Sequence, residues 1–522
     1  MRLIVLFFCL AVFNLHAQGL YVIKFRDKAN SPFQVTQPQA FLSPRSIERR
    51  TQQKISIRAI DLPVNPSYLS QITRLGGRII HTSRWLNAAL VSTTRGETLS
   101  QILALSFVAG METQGDIRTG GKLEEASSLV EITNQNEAQL TQLGVDKMLK
   151  ENLTGKGKWI GVFDSGFSQV NQTDAFKTAF SENRILFTRD LVDNETDVYN
   201  DDSHGAQVLS LMAGSLPGTF MGTAPGASYL LFRTEDVFSE TKLEEWNWLI
   251  AAEIADSIGV DIINSSLGYT TFDTPAQNYV YADMNGQKAL ITRAADWAAG
   301  AGILVVTSAG NEGRNAWRYI SAPADGDSVI SVGAVTNSGT LATFSSVGPT
   351  ATGTIKPELV AMGQSTVLVS PGNLIRTSNG TSFSSPLLAG MAASIWQRFP
   401  ELTAMQIRRL MIESGSLAKS PNNQLGFGIP HWDRILEAAT KEVVTSTTES
   451  ILDLRSWYEA QFDGTIEVET SLYQVNGQRI QTFNRHLPDW NLVVDFLKNQ
   501  PVSTILEVKG TSGPVRRHVF IP

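Results

Sequence analysis

The 522-residue chain has a single cysteine, Cys9, and only six histidines. Cys9 lies in an apolar N-terminal run, so once that run is removed no thiol remains, and disulfides, thiol catalysis and cysteine-zinc sites are excluded together. Long apolar stretches are equally scarce. The one present, Leu3 to Leu15, holds 13 residues, fewer than the about 20 that span a bilayer, so no stable membrane span is expected. It follows Arg2 and ends at Leu15-His16-Ala17, the layout of a signal peptide over residues 1–17, and hence of a protein secreted or held at the cell surface after cleavage. Cys9 sits inside the apolar core rather than behind small residues at its end, which argues against lipid attachment. No repeat of about 20–50 residues is present, which excludes solenoids and propellers.

What is abundant is apolar: hydrophobic residues make up 42% and charged residues 18%, with 24 Phe and 10 Trp. Such a chain folds, and its length points to two to four units of about 100–200 residues each. Charge is divided unevenly. Residues 18–121 carry 13 Lys/Arg against 6 Asp/Glu, whereas residues 122–522 carry 29 against 44. The first segment is thus suited to dock on the second. Its charges are scattered among prolines and apolar strands, with no basic run beyond Arg49-Arg50, so nucleic acid is not an expected partner.

Residues 18–113 read as a small α/β module, with strand-like Leu20–Phe25, a helical stretch near 45–53, and strands at Arg78–His81 and Ala88–Ser92. Residues 114–139 are rich in Gly, Glu, Ser, Asn and Gln, as in an exposed, cleavable connection. Across residues 140–440, short apolar strands alternate with helices. The strands are Trp159–Phe163, Ser228–Phe232, Asp261–Asn264, Ile303–Thr307 and Val329–Val332, and the helices include Lys242–Ser257 and Gln287–Ala301. This pattern predicts an α/β fold, a parallel sheet with helices on both faces. Residues 441–450 form a polar linker, and 451–522, with turn signals Asn476-Gly477 and Ser512-Gly513, predict a small β domain.

Three segments of the α/β region carry the residue types of nucleophilic catalysis. Asp164 ends the strand in Gly161-Val162-Phe163-Asp164-Ser165-Gly166, and the ligand crevice of an open parallel sheet lies beyond the carboxyl ends of its strands. Taken alone, it also fits a turn-capping aspartate. His204 enters a helix in Asp202-Ser203-His204-Gly205. Of the six histidines only His204 and His431 fall in this region, and His431 lies past the last strand, so His204 is the general-base candidate. Ser382 opens an apolar helix in Asn379-Gly380-Thr381-Ser382-Phe383-Ser384-Ser385-Pro386, where the helix N-terminus favours a developing oxyanion. An ordinary N-cap serine is the alternative there.

Together these segments resemble the subtilases, the subtilisin-like serine proteases, over nearly all of residues 140–440. The order Asp, His, Ser is that family's order. Further matching segments are Ser308-Ala309-Gly310-Asn311-Glu312-Gly313, Gly222-Thr223-Ala224-Pro225-Gly226, Asn264-Ser265-Ser266-Leu267-Gly268, and Val332 through Pro349. Phe383 and Leu387 stand where Met and His are common. The resemblance implies a subtilisin-like fold and an Asp164/His204/Ser382 triad acting through an acyl-enzyme. It further implies Asn311 as oxyanion-hole donor and Ser266, Leu267, Gly268, Ala309 and Gly310 along the substrate pocket.

The resemblance extends to the flanks. The leading module looks like a subtilase propeptide, implying a self-processing zymogen whose partners are protein or peptide substrates and its own inhibitory propeptide. The tail, with Leu472–Gln478 and the terminal Arg516–Pro522, resembles a C-terminal sorting domain and so implies the type IX secretion machinery as a partner. A carbohydrate- or protein-binding β module is the other reading of it. No cofactor is implied. Calcium is common in the family, but the acidic loop Asp190–Asp202 lacks the glycine of an EF-hand loop, reads as a solvated or substrate-facing strip, and leaves no metal site assignable. The competing readings of the whole chain are a catalytically silent binding protein on this frame and a surface adhesin led by the tail.

Overall fold

The computed structural model describes residues 18–94, 96–113, 128–129, 136–439, 469–474, 479–484, 504–510 and 513–519. The signal segment 1–17, the linker 441–450, the Asn476-Gly477 turn signal and Ser512 of the other, and most of the connection 114–139 lie outside the described residues. The chain forms two units, Met1–Trp432 and Asp433–Pro522.

The first unit opens with an α/β module: β1 (Gln18–Phe25), α1 (Pro44–Gln52), α2 (Pro66–Arg74), β2 (Arg78–Ser83), β3 (Ala88–Thr94), α3 (Glu97–Leu103) and β4 (Val108–Thr113). The four strands form one antiparallel sheet in the order β2-β3-β1-β4. Because strand side chains alternate, Tyr21, Ile23 and Phe25 pack with Ile72 and Ile102 into the module's own core, while Val22 points the other way. That opposite face, with Trp85, Ala88 and Leu90, joins the core of the rest of the unit. Burial on both faces explains why β1 is apolar from Leu20 to Ile23 instead of alternating.

The remainder follows as β5 (Ser128–Leu129), α4 (Glu137–Leu143), α5 (Val145–Lys150), β6 (Trp159–Asp164), α6 (Lys177–Ser181), β7 (Ile185–Asp190), α7 (His204–Ala213), β8 (Ser215–Leu216) and β9 (Phe220–Met221). Next come β10 (Ser228–Arg233), α8 (Lys242–Ile258), β11 (Ile262–Ser265), α9 (Leu290–Gly300), β12 (Leu304–Ser308), β13 (Ile330–Val335) and β14 (Leu359–Met362). It ends with β15 (Thr366–Ser370), β16 (Leu374–Ser378), α10 (Thr381–Arg398) and α11 (Ala404–Glu413). Seven strands form a parallel sheet in the order β14-β13-β12-β11-β6-β10-β7. The chain runs outward from β6 to β7, returns to β10, then crosses to β11 on the far side of β6. This reversal opens a crevice at the carboxyl ends of β6 and β11. Helices α7 and α10 are buried along almost their whole lengths, in keeping with sequences made of small and apolar residues.

Helix α8 receives the module. Arg50 donates to Asp61 (3.0 Å) within the module and to Asp256 of α8 (2.7 Å), and Arg49 and Arg84 also reach Asp256. Glu253 accepts from Ser83 Oγ (2.5 Å) and from the backbone N–H groups of Arg84 (2.8 Å) and Trp85 (3.1 Å). Burial would raise the Asp256 carboxyl, but Arg84, Arg49 and Arg50 outweigh it and hold the group below the usual carboxylate range.

Two buried side-chain amides fix the start of the peptidase region. Asn136 donates from Nδ2 to Met221 O (2.6 Å) and accepts from Met221 N (3.3 Å). Gln139 does the same with Val367, at 3.0 Å in both directions. In the second unit, β17 (Glu469–Gln474), β18 (Arg479–Asn484), β19 (Thr504–Gly510) and β20 (Gly513–Val519) form an antiparallel sheet in the order β18-β17-β19-β20.

Candidate active site

Asp164 is the last residue of β6, in register with Arg233 of β10, and its neighbour Phe163 pairs with Ser265 of β11. The side chain is wholly buried. Its Oδ1 accepts from Ser165 N (2.9 Å) and lies 2.7 Å from His204 Nδ1. A carboxylate only accepts, so this contact fixes Nδ1 as the protonated nitrogen and leaves Nε2 as the basic one. His204 opens α7, where its backbone N–H donates to Asp202 Oδ2 (2.8 Å), which also accepts from Ser165 Oγ (2.9 Å). The next residue must be small: a Cβ on Gly205 would meet Gly166 O at 2.3 Å and Asp164 Cβ at 2.9 Å. Burial opposes charge on the imidazole, yet Asp164, Asp202 and Glu235 together outweigh it and push the His204 pKa up to about 9.

Ser382 lies in the first turn of α10. Its Oγ donates to Ser266 O (3.2 Å), and its own carbonyl accepts from Ser266 Oγ (2.9 Å). Behind this pair, Asn264 Nδ2 donates to Ser266 Oγ (3.1 Å) and Ser385 Oγ donates to Asn264 Oδ1 (2.9 Å). Among the described residues no hydrogen bond joins Ser382 to His204; the hydroxyl is turned to Ser266, a looseness common in unliganded sites. Phe383 brings the two segments together, its ring centroid 5.7 Å from that of His204. Leu387, the other departure from the usual pattern, is fully buried.

Asn311 follows β12. Its Oδ1 accepts from Thr381 N (2.9 Å) and Thr381 Oγ1 (3.0 Å), which ties it to the start of α10 and turns the Nδ2 donors away from that contact. Gly310 N donates to Thr381 Oγ1 (3.2 Å). Leu267 O accepts from Ser308 Oγ (3.2 Å), so the Ser266–Gly268 and Ala309–Gly310 segments lie side by side. Leu267 and Ala309 are buried while Gly268 is exposed. Both glycines face Ser321: a Cβ on Gly268 would stand 2.3 Å from its Oγ, and one on Gly310, at φ +107°, 2.8 Å.

The structure therefore gathers all nine residues singled out from the sequence at one end of the sheet. It adds Asp202, Asn264, Thr381 and Ser385. All four stood inside recognisable segments, but only the fold reveals what they hold. The acidic loop differs from a simple solvated strip. Arg233 Nη1 reaches Asp190 (2.7 Å), Asp193 (2.6 Å) and Asp201 (3.3 Å), and Asp190 is fully buried. A guanidinium thus supplies the positive charge at that cluster.

Residues 155–428 match the Subtilase family, and residues 20–131 match the "Peptidase S8 propeptide domain, Bacteroidota". The chain is 30% identical over 290 residues to serine protease AprX of Bacillus subtilis (strain 168), a match covering 50% of this chain and 62% of that protein. It is 31% identical over 269 residues to subtilisin DY of Bacillus licheniformis, covering 50% and 85%. It is 30% identical over 274 residues to subtilisin NAT of Bacillus subtilis subsp. natto, covering 52% and 63%. With a seven-stranded parallel sheet, the Asp164–His204 pair and a matched region of more than half its length, the chain belongs to the subtilase family and carries a peptidase S8 propeptide domain ahead of its subtilisin-like domain.

Proposed function

We propose that this chain is a secreted serine endopeptidase made as a self-processing zymogen. Ser382 Oγ attacks the scissile carbonyl while His204 Nε2 takes its proton, and Asp164 holds the tautomer and stabilises the imidazolium. The tetrahedral oxyanion is held by Asn311 Nδ2 and the Ser382 backbone N–H. As it collapses, the C–N bond breaks and His204 gives its proton to the leaving amine. Water, deprotonated by His204, then hydrolyses the acyl-enzyme and frees Ser382. Substrate lies as an extended strand along Ser266–Gly268 and Ala309–Gly310, where glycine permits close backbone approach. The observation that carries this reading is the 2.7 Å contact of His204 Nδ1 with buried Asp164, on the crevice edge that Ser382 and Asn311 also occupy.

Residues 1–17 act as the signal peptide, the module as inhibitor and folding aid, residues 114–139 as the connection that is cut, and the tail as a sorting domain read by type IX machinery. A stabilising calcium ion, common in subtilases, belongs to the same proposal, with no site assigned to it. The deciding experiment is labelling of the processed protein with a fluorophosphonate probe, which requires an activated serine. Labelling that disappears in Ser382→Ala and His204→Ala supports the mechanism; an unlabelled processed protein overturns it.

A further inference from the structure

Three strand ends lie in one row. Arg233, the last residue of β10, is in register with Asp164 at the end of β6 and with Asp190 at the end of β7. Side chains in register on neighbouring strands leave the sheet on the same face. Arg233 therefore stands between the carboxylate that holds His204 and a second, buried carboxylate, and is itself 4% exposed.

Its guanidinium reaches in two directions. Nε donates to Ser165 O (3.2 Å), the carbonyl next to Asp164. Nη1 donates to Asp190 Oδ2 (2.7 Å) and Asp193 Oδ2 (2.6 Å) and lies 3.3 Å from Asp201 Oδ1. These carboxylates stand at the end of β7 and in the loop that runs on to α7 and delivers His204. The backbone joins the same parts, since Leu191 N donates to Arg233 O (2.9 Å) and Thr234 N to Asp164 O (2.9 Å). Asp190 Oδ1 accepts from Val192 N (2.8 Å) and Asp193 N (3.0 Å), which sets the first turn of the loop. Burial disfavours the charge on Arg233, but its bonds to Asp190 and Asp193 and the nearby Asp201 outweigh that and hold its pKa above the usual value.

Both ends of this clamp lead to the catalytic pair. Asp201 adjoins Asp202, whose Oδ2 accepts from His204 N (2.8 Å) and from Ser165 Oγ (2.9 Å). Ser165 N donates to Asp164 Oδ1 (2.9 Å), the oxygen that lies 2.7 Å from His204 Nδ1. The two segments are laid together with little slack: Phe167 N donates to Val198 O (2.8 Å), Ser168 N donates to Asp202 O (3.1 Å), and a Cβ on Gly166 would meet Asp202 N at 2.6 Å. A shift of either segment changes the Asp164–His204 spacing.

We propose that Arg233 is a positioning residue of the catalytic centre: through Ser165 and the Asp190–Asp201 loop it holds the Asp164 and His204 segments at the spacing their hydrogen bond needs. This role rests on the triad read above. Lysine cannot reproduce it, because an ammonium is a point charge whereas the guanidinium fork donates to a carbonyl on one side and to carboxylates on the other. Displacing a catalytic group by about 1 Å costs about a hundredfold in rate, so a loosened clamp shows in turnover before it shows in binding.

The test compares the processed parent with Arg233→Lys on a peptide substrate, with kcat expressed per serine titrated by the fluorophosphonate probe. That normalisation removes unfolded protein from the count, so a side chain serving stability alone would leave the value unchanged. Arg233→Lys should lower kcat by about tenfold to a hundredfold, keep KM within about twofold and slow the labelling of Ser382 to match. Asp193→Asn, near the start of the loop with its side chain 62% exposed, should keep kcat within about twofold of the parent. Asp201→Asn removes one arm of the clamp at a partly exposed carboxylate, so it stays informative if Arg233→Lys folds poorly, and it should show a smaller loss of the same kind. Parent kcat per titrated serine in Arg233→Lys, or in Asp201→Asn where the lysine variant does not fold, overturns the proposal. A rise in KM with kcat unchanged also overturns it and places the clamp in substrate binding. A parent that the probe does not label overturns the triad, and this role with it.

Discussion

Arg50 of the leading module lies 2.7 Å from Asp256 of α8, and the two residues are 1% and 0% exposed. Three guanidiniums converge on that one carboxylate, so the excess of positive charge in the module acts through a buried point and not through a diffuse surface field. Buried pairs are screened far less by salt than exposed ones. The added module should therefore inhibit the processed enzyme in trans, with salt slowing association more than it weakens the final complex. Asp256→Asn leaves the guanidiniums without their shared partner, and breaking a buried pair costs about 3–5 kcal/mol. Its inhibition constant should rise by about a hundredfold or more. Equal inhibition of parent and Asp256→Asn enzyme would remove the cluster from the docking mechanism.

Asn311 is held through Oδ1 by Thr381, so its Nδ2 is set in place before substrate arrives. Asn311→Ala should lower kcat by about 10²–10³-fold, the usual loss on removing one oxyanion donor, with little change in KM. Steady-state kinetics on a peptide substrate make the distinction. A variant that keeps kcat but loses affinity would assign Asn311 to substrate binding.

The base must be neutral to accept a proton, and His204 is pushed up to about 9 by Asp164, Asp202 and Glu235 against the effect of burial. We expect kcat/KM of the unliganded enzyme to rise with pH toward about 9. Asp202→Asn removes one of the negative charges and should move the midpoint down. The linked stability has the opposite sense: a raised folded pKa favours the protonated native state, a contribution complete below about 6.5 and lost as pH rises through about 9. A midpoint identical in Asp202→Asn would show that this carboxylate does not govern the titration.

His81 of the module behaves in the reverse way. It is 9% exposed, its Nε2 has no hydrogen-bond partner, and burial together with the Arg189 guanidinium holds its pKa down to about 4, against a contact with the Leu191 backbone. A folded pKa below the ordinary value of about 6.5 stabilises the docked state above that pH and is lost as pH falls toward about 4. Inhibition in trans should therefore weaken between pH 7 and pH 5, and His81→Gln should flatten the trend. Inhibition constants at the two pH values decide it.

The crevice residues were legible because each is fixed by local sequence: Asp164 at a strand end, His204 and Ser382 at helix starts, and Asn311 just beyond a strand. Their supports were not. The Ser165–Asp202 contact and the chain Ser385–Asn264–Ser266 depend on which segments the sheet order brings together, and residue spacing does not encode that. The strands Trp159–Asp164 and Leu304–Ser308 announced themselves because they are apolar on both faces. β7 did not, since an edge strand with Leu186 39% exposed lacks that continuous run. β14 is four residues long and follows Lys356-Pro357, too brief to carry a period. In the module, α2, α3 and β4 escaped notice, and so did the role of Arg49 and Arg50, whose shared partner Asp256 lies more than 200 residues away.

The amide clamps of Asn136 and Gln139 bear on how accurate maturation must be. Each returns two hydrogen bonds to the backbone of a strand in the catalytic unit, as an added strand would. The start of helix α4 is thus stapled from within the unit, whichever upstream bond is broken. Chains with ragged amino termini, cut at different places before Asn136, would share one anchored start and one active-site geometry.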